Sequence, residues 1–149
     1  MKMRVIVALL ALALALPATA QAQSFTFKRT AKTVGSVIVP PANGGKPSGA
    51  GVFSLTSEAT YADGKKTTTT GQCSQWILPP SDQFGSNTIC KMGDASGELY
   101  ITRTTCENPG PQSDCWGKLI GTGGAYKGRT GAFTFHNAEG SVGMGYWTE

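Results

Sequence analysis

The hydrophobic residues of this chain follow two different patterns. Near the N-terminus, Val5–Leu16 is a continuous apolar run. From residue 23 onward, apolar and polar residues alternate over short segments, and turn-forming residues separate these segments about every ten positions. No segment there has the helical period of about 3.6 residues. The chain after residue 22 is therefore predicted to be all-β.

The clearest strand pair lies in the middle of the chain. Gly51–Tyr61 and Lys66–Trp76 are rich in β-branched residues, which suit a pleated sheet. Asp63 and Gly64 between them favour a type I′ hairpin turn, because glycine tolerates positive φ. The other predicted strands, in chain order, are Phe25–Phe27, Val34–Val39, Ser86–Met92, Glu98–Cys106, Trp116–Gly121, Ala132–Ala138 and Ser141–Thr148.

About eight or nine strands with short connections leave almost no room for a helix. Pro40–Gly51 and Glu107–Asp114 are predicted as loops, because turn-forming residues are frequent in both. Evenly spaced strands close readily into a barrel, and closure removes the sheet edges that promote aggregation. We therefore predict one domain over residues 23–149, a closed antiparallel barrel of about eight strands, with a β-sandwich as the alternative.

The apolar run at the N-terminus has the features of a signal peptide. Lys2 and Arg4 precede Val5–Leu16, which is shorter than the roughly 20 residues that a membrane-spanning helix needs. Small residues at Ala20 and Ala22 fit a cleavage site after Ala22. Residues 1–22 are therefore predicted to be removed, which leaves a periplasmic or secreted protein with no stable membrane anchor.

Four cysteines remain in the exported part of the chain. An even number of cysteines in an exported protein predicts two disulfides, and three connectivities are open. Neighbours on adjacent antiparallel strands favour the pairs Cys73–Cys90 and Cys106–Cys115. No Cys-x-x-Cys pair is present, so no metal site is predicted.

The net charge of the chain indicates no particular partner. The formal net charge of +4 falls to +2 once Lys2 and Arg4 are removed. The remaining lysines and arginines are scattered and form no basic helix or dense patch, so no nucleic-acid partner is predicted. No sequence feature implies an organic cofactor, and none marks an oligomer interface.

Glycines are concentrated in one segment near the C-terminus. From Gly121 to Gly131 the chain reads Gly-Thr-Gly-Gly-Ala-Tyr-Lys-Gly-Arg-Thr-Gly, and Ala-Phe-Thr-Phe follows. This is not a phosphate-binding Gly-x-Gly-x-x-Gly loop, because Tyr126 occupies the third glycine position and no helix follows. The glycines instead allow positive φ and close packing at the rim of a barrel, and Tyr126 is predicted to fold over the barrel end.

The same segment resembles the glycine-rich turn that precedes the penultimate strand in the allene oxide cyclase and dirigent superfamily. Gly143–Trp147 is similar to the closing strand of that family. The resemblance covers about the last 35 residues, and only the general strand pattern supports it before them. It implies that residues 23–149 form an eight-stranded antiparallel barrel with a mostly apolar cavity. No residue matches a catalytic motif of the family, so no catalytic residue is carried over.

Aromatic residues on separate strands are the best candidates for a ligand site. Phe133 and Phe135 alternate with polar residues and are predicted to face the lumen. An eight-stranded barrel is just wide enough to be filled by side chains or to hold one small ligand, and the sequence does not separate these cases. The candidate ligand-binding residues are Phe53, Tyr61, Trp76, Tyr100, Trp116, Phe133, Phe135 and Tyr146, together with Trp147.

The candidates for acid–base chemistry are Glu98, Tyr100, Tyr146 and His136. His136 is the only histidine, and simple alternation predicts that it points outward, whereas a register change near the strand end would turn it inward. Glu98 and Tyr100 are predicted to share one face of their strand. A glutamate inside the barrel near a tyrosine or arginine would have a burial-shifted pKa suited to proton transfer. Glu98 and Glu58 are the candidates, and the alternative is that both face solvent.

Three functions are open at this stage. The first is an exported barrel that binds a small hydrophobic or aromatic molecule in its lumen. The second is a cofactor-free isomerase, cyclase or lyase that acts in the same cavity. The third is an envelope interaction protein that uses the outer face of the barrel. A buried carboxylate or histidine that faces a pocket larger than about 300 Å³ favours the enzyme, and a purely apolar pocket favours the binding protein. A filled lumen with an exposed apolar patch favours the interaction protein.

Overall fold

The computed structural model describes residues 22–41, 47–78, 85–107, 112–137 and 140–148. Every strand is antiparallel to its neighbours in the chain, and the last strand pairs with the first, so the sheet is a closed up-and-down barrel. The predicted fold class is confirmed. The strands are β1 (Gln23–Val39), β2 (Ser48–Tyr61), β3 (Lys66–Ile77), β4 (Ser86–Asp94), β5 (Gly97–Cys106), β6 (Ser113–Gly121), β7 (Thr130–Asn137) and β8 (Val142–Thr148).

There are eight strands because two predicted runs, Phe25–Phe27 and Val34–Val39, belong to one. Strand β1 stays paired with β2 over its length, with only a register shift between Thr33 and Gly35. One short helical element is present in the described ranges, a 3-10 turn at Gly124–Tyr126. No helix in those ranges is long and apolar enough to cross a membrane.

The barrel has two different ends. The β2–β3, β4–β5 and β6–β7 connections lie at one end, beside Gln23 and Thr148. We call this the plugged end, because the 3-10 turn lies there. The β1–β2, β3–β4, β5–β6 and β7–β8 connections lie at the opposite end, which we call the cup end.

Glycines on the inner face of β8 make room for large aromatic rings. Gly143 lies under the ring of Phe27, and Gly145 lies under the ring of Phe25. A Cβ atom at Gly143 would stand 2.5 Å from Cζ of Phe27 and 2.6 Å from Cβ of Phe135. Large and small residues therefore alternate around the lumen, which is how a narrow barrel is filled.

The hairpin between β2 and β3 has a different turn from the predicted one. A type I′ turn needs positive φ at both central residues, but no described residue other than glycine has positive φ. The chain instead turns through Ala62, Asp63 and Gly64, and the φ of Gly64 is +83°. The amide of Lys65 donates to Oδ1 of Asp63 at 2.9 Å, which supports the longer turn. The type I′ prediction is wrong, because the aspartate side chain stabilises this three-residue connection.

Both predicted disulfides are confirmed. Cys73–Cys90 joins directly opposite residues of β3 and β4, with Cα atoms 4.0 Å apart. Cys106–Cys115 does the same for β5 and β6, with a separation of 4.1 Å. Two disulfides in a domain of this size fit an oxidising, extracytoplasmic compartment.

Candidate functional site

Aromatic side chains fill the half of the lumen next to the plugged end. Tyr126 packs on Trp147 with ring centroids 4.8 Å apart, and on Tyr100 at 5.6 Å. The hydroxyl of Tyr126 shares a 2.7 Å hydrogen bond with that of Tyr61. Burial, followed by this hydrogen bond, raises the pKa of Tyr61. The prediction that Tyr126 folds over the barrel end is confirmed.

Little space is left in this plugged half. Its cavity has a volume of about 40 Å³. A water molecule needs roughly 10–15 Å³ on this measure, so the cavity suits a few water molecules and not an organic ligand. The plugged half is therefore a packed core.

The other half of the lumen is less filled by the described residues and has a mixed lining. We call this space the cup, and its volume is about 230 Å³. Phe53, Leu55 and Phe135 supply apolar walls, and Thr88 and Thr104 supply hydroxyl groups. A compact molecule with an apolar body and a polar group matches this lining.

Arg29 lies between the two halves and lines both cavities. Its guanidinium carbon stands 3.5 Å from the ring centroid of Phe135. The rings of Phe27 and Phe133 lie 5.5 Å and 6.0 Å from the same atom. Three aromatic rings therefore surround the guanidinium and hold it at the floor of the cup.

The charge of Arg29 has no partner within the part of the chain that the structure describes. Nε of Arg29 is buried and donates a hydrogen bond to no acceptor there. The only ion pairs in those ranges are Lys91–Glu98 and Asp114–His136. Arg29 is also the only charged residue among the described residues that line either cavity. Burial lowers the pKa of Arg29 to about 10, so the side chain is still positive at neutral pH.

The sequence-based candidates did not include Arg29. A signal for it exists, because Phe25, Phe27 and Arg29 occupy alternate positions of β1 and alternate residues share one face. Once Phe25 and Phe27 are known to face the lumen, Arg29 must face it as well.

Three aromatic residues predicted to line the lumen lie on the outer face instead. Trp76, Trp116 and Tyr146 expose 46%, 38% and 45% of their surface. Cys115 and Trp147 point inward, so Trp116 and Tyr146, their direct neighbours, point outward. The prediction for these three residues is wrong, because a hydrophobic side chain does not by itself show which face of a strand is inside. The lumen-facing members of the predicted set are Phe53, Tyr61, Tyr100, Phe133, Phe135 and Trp147.

A bulge separates Glu98 from Tyr100. Met92 pairs with Tyr100 and Gly93 pairs with Glu98, so Leu99 is an extra residue on β5. The alternation changes phase at Leu99, which places Tyr100 in the lumen and Glu98 outside. The prediction that Glu98 and Tyr100 share one face is wrong, because it assumed an uninterrupted strand.

Two of the acid–base candidates are engaged on the outer surface. Glu98 forms an ion pair with Lys91 at 2.9 Å, and a hydrogen bond from Lys91 holds the pKa of Glu98 below its usual range. Nδ1 of His136 lies 2.9 Å from Oδ1 of Asp114, and both side chains are exposed. The prediction that His136 points outward is confirmed.

Tyr100 is the one acid–base candidate that faces the lumen. Its hydroxyl shares a 2.7 Å hydrogen bond with Oγ1 of Thr69, and burial raises its pKa. Glu58 is exposed on the outer face of β2. The candidates therefore lie on different surfaces and do not form a shared acid–base site.

An apolar groove crosses the outer face of β5 to β8 and reaches β1 and the end of β2. Trp116, Met144 and Tyr146 line it, and all three are exposed. Arg103 and Lys118 also line it, and no carboxylate does so among the described lining residues. We call this surface the outer groove. Its chemistry suits an apolar partner surface that carries negative charge.

Comparison with protein-family models, with curated proteins and with solved structures finds no match for this chain. The fold and the site define a class: a disulfide-bonded, eight-stranded up-and-down barrel whose described residues fill one half of the lumen more than the other. The resemblance of Gly121–Gly131 to the allene oxide cyclase and dirigent turn stays a prediction. Across the described ranges, no group of three histidine, cysteine or acidic residues is placed to hold a metal ion.

Proposed function

We propose that this protein is an exported barrel that binds one small organic molecule in its cup. The observation that carries the proposal is the unequal filling of the lumen, with about 40 Å³ left at the plugged end and about 230 Å³ in the cup. Pockets for drug-sized ligands usually measure about 300–1,000 Å³. The cup is smaller than such pockets, so its ligand is smaller than a drug-sized molecule. Phe53, Leu55 and Phe135 favour an apolar or aromatic body.

Three observations support export. Val5–Leu16 has the length of a signal-peptide core, and both disulfides belong to an oxidising compartment. Strand β1 begins at Gln23, directly after the proposed cleavage site at Ala22. The mature domain would therefore start with its first strand, in the periplasm or outside the cell.

Native mass spectrometry of the mature protein tests the proposal. The protein is purified from the extracytoplasmic fraction of its own host, and a bound small molecule is expected. In Ala31→Trp a large side chain enters the cup from an exposed position, so the bound mass should be lost. Thr30→Trp places the same side chain on the outer face of the same strand and should keep the bound mass.

Two results would contradict small-molecule binding in the cup. One is a bound mass that Ala31→Trp retains as fully as the parent does. The other is a parent protein that carries no bound mass and whose melting temperature no compound of a fragment library raises.

A second candidate function is protein binding through the outer groove. The exposed side chains of Trp116, Met144 and Tyr146 favour it, because aromatic residues and methionine are enriched in interface cores. Arg103 and Lys118 favour a partner with acidic residues around an apolar anchor, and their like charges oppose self-association.

Photocrosslinking in the cell envelope tests this second candidate. A photoreactive amino acid in place of Thr134, inside the outer groove, should label one envelope protein, and labelling should weaken as salt rises. The same group in place of Ser74, on the outer face of β3, is the control. Identical adducts from both positions, or none from Thr134, would exclude a specific partner at the outer groove.

The enzyme alternative receives less support from the side chains. Of its four candidate residues only Tyr100 faces the lumen, and the hydroxyl of Tyr100 is engaged with Thr69. The binding function is therefore the one that the geometry supports best.

A further inference from the structure

We propose that the ligand of the cup is a compact apolar or aromatic carboxylate whose carboxylate group binds to Arg29. This inference rests on the proposed function, since it names the chemical class of the molecule in the cup. It makes Arg29 the anchor of the site and Phe53, Leu55 and Phe135 the walls around the ligand body.

The first argument is the uncompensated charge of Arg29. Arg29 is half-buried. Moving even part of a cation out of water is unfavourable unless an opposite charge and hydrogen-bond acceptors replace the water. Within the described residues no carboxylate pairs with Arg29, and its buried Nε has no acceptor. A buried cation without a counter-charge is rare in folded proteins, and an anionic ligand at the exposed part of the guanidinium would supply the missing negative charge.

The aromatic rings around Arg29 do not remove this need. The face of Phe135 attracts the guanidinium at 3.5 Å, but a ring face accepts hydrogen bonds poorly and replaces only part of the lost hydration. Stacking also fixes the plane of the guanidinium. Its N–H groups then form a rigid fork that matches the two oxygen atoms of a carboxylate. The rings therefore orient Arg29 for an oxyanion.

Charge and volume favour a carboxylate over a polyanion. Arg29 is the single cation among the described residues that line the cup, so it matches one negative charge. The other described polar residues of the cup, such as Gln75, Thr88 and Thr104, are neutral and suit one further polar group. The apolar walls and a volume of about 230 Å³ leave room for a small hydrocarbon body.

Matched pairs of small compounds test the charge requirement. The probes are benzoate and benzamide, phenylacetate and phenylacetamide, and hexanoate and hexanamide, each measured by isothermal titration calorimetry on the mature protein. Within at least one pair, the acid should bind about 10- to 100-fold more tightly than the amide, because a charge-assisted bidentate contact has this strength.

Variants of Arg29 assign the preference to this side chain. Arg29→Met keeps an unbranched apolar side chain without the charge, so the affinity for the acid should fall about 10- to 100-fold while that for the amide stays within about threefold. Arg29→Lys keeps the charge without the fork and should retain a reduced preference. Lys32→Met removes a positive charge from the outer face of the same strand and should leave the preference unchanged.

The stability of Arg29→Met separates an anchor from a structural residue. If Arg29 serves a ligand, removing its desolvated charge should keep or raise the melting temperature of the ligand-free protein. A lower melting temperature, or failure to fold, would show that Arg29 stabilises the barrel and would overturn the inference.

The remaining outcomes separate this inference from the proposed function. Amides that bind as tightly as the acids would overturn the role of Arg29 and leave small-molecule binding in place. If Arg29→Met still bound the acids more tightly than the amides, the role of Arg29 as the carboxylate anchor would also be overturned. If no probe binds, and the purified protein carries no bound mass, the proposed function fails together with the inference.

Discussion

One hydrogen bond between two tyrosines ties the glycine-rich turn to the barrel wall. The hydroxyls of Tyr61 and Tyr126 lie 2.7 Å apart and both residues are buried. Tyr61→Phe should lower the free energy of unfolding by about 1 kcal/mol, because Tyr126 loses its buried partner. Urea unfolding at neutral pH measures the change. Tyr146→Phe, which removes an exposed hydroxyl, is the control, and an equal loss there would contradict the role of the pair.

The same residue predicts how stability depends on pH. Burial raises the pKa of Tyr61 in the folded state above the value of about 10 that it has when unfolded. The neutral phenol therefore stabilises the fold fully below pH 10, and this contribution is lost as the pH rises through the folded pKa. The free energy of unfolding should fall more steeply above pH 10 in the parent than in Tyr61→Phe. Equal slopes in urea unfolding would count against the buried phenol.

Position 143 needs a glycine because aromatic side chains pack directly against it. A Cβ atom at this position would meet Phe27, Phe135 and the carbonyl oxygen of Thr134. Gly143→Ala should lower the free energy of unfolding by about 1–3 kcal/mol, the usual range for overpacking. Gly35→Ala is the control, since nothing lies within 4 Å of its added Cβ. Equal effects of the two substitutions in urea unfolding would show that the rings move aside.

At the scale of the strands, the two disulfides fix neighbouring hairpins. Cys73–Cys90 closes a sequence separation of 17 residues and Cys106–Cys115 one of 9. Replacing either pair with alanine should lower the free energy of unfolding by about 2–3 kcal/mol, with the larger effect for the longer loop. Chemical unfolding of each double variant measures the effect. Reducing both disulfides of the parent should lower the free energy of unfolding by about as much as the two replacements together. A much smaller loss would contradict the stabilising role of the disulfides.

The sequence predicts the strands better than it predicts their faces. Alternation and turn residues locate seven of the eight strands separately, and the eighth, β1, is split into two runs by the irregularity at Thr33–Gly35. The bulge at Leu99 changes which face of β5 the residues before it occupy, relative to simple alternation. No local residue pattern indicates this bulge. The inward or outward direction of a side chain depends on such irregularities, which arise between strands.

In the candidate site, too, the direction of a side chain is predicted less well than the strand that carries it. The lumen positions of Phe133 and Phe135 follow from simple alternation and are predicted correctly. Trp116 was predicted to face inward, but it faces outward because its neighbour Cys115 is buried in the lumen. Arg29 was missed because a charged residue is ordinarily assigned to solvent. Its burial results from rings on β7, more than a hundred positions away in the chain.

At the scale of the whole molecule, export makes a prediction about the mature N-terminus. Cleavage after Ala22 should leave Gln23 as the first residue, directly at the start of β1. Intact-mass measurement and N-terminal sequencing of the exported protein test this. A mature chain that still carries residues before Gln23 would show that the cleavage site is misplaced or that the segment is retained.

The pairing of β1 with β8 has one more consequence. Gln23 lies opposite Trp147, so the start of the first strand and the end of the last strand lie side by side. Because the barrel is closed, any of its strands could come first in the chain. A short linker from Thr148 to Gln23, with new ends cut at Asp63 and Gly64, would give a circularly permuted chain in which every strand keeps both neighbours. Such a chain would carry its ends at the hairpin tip and leave the cup, at the far end of the barrel, untouched.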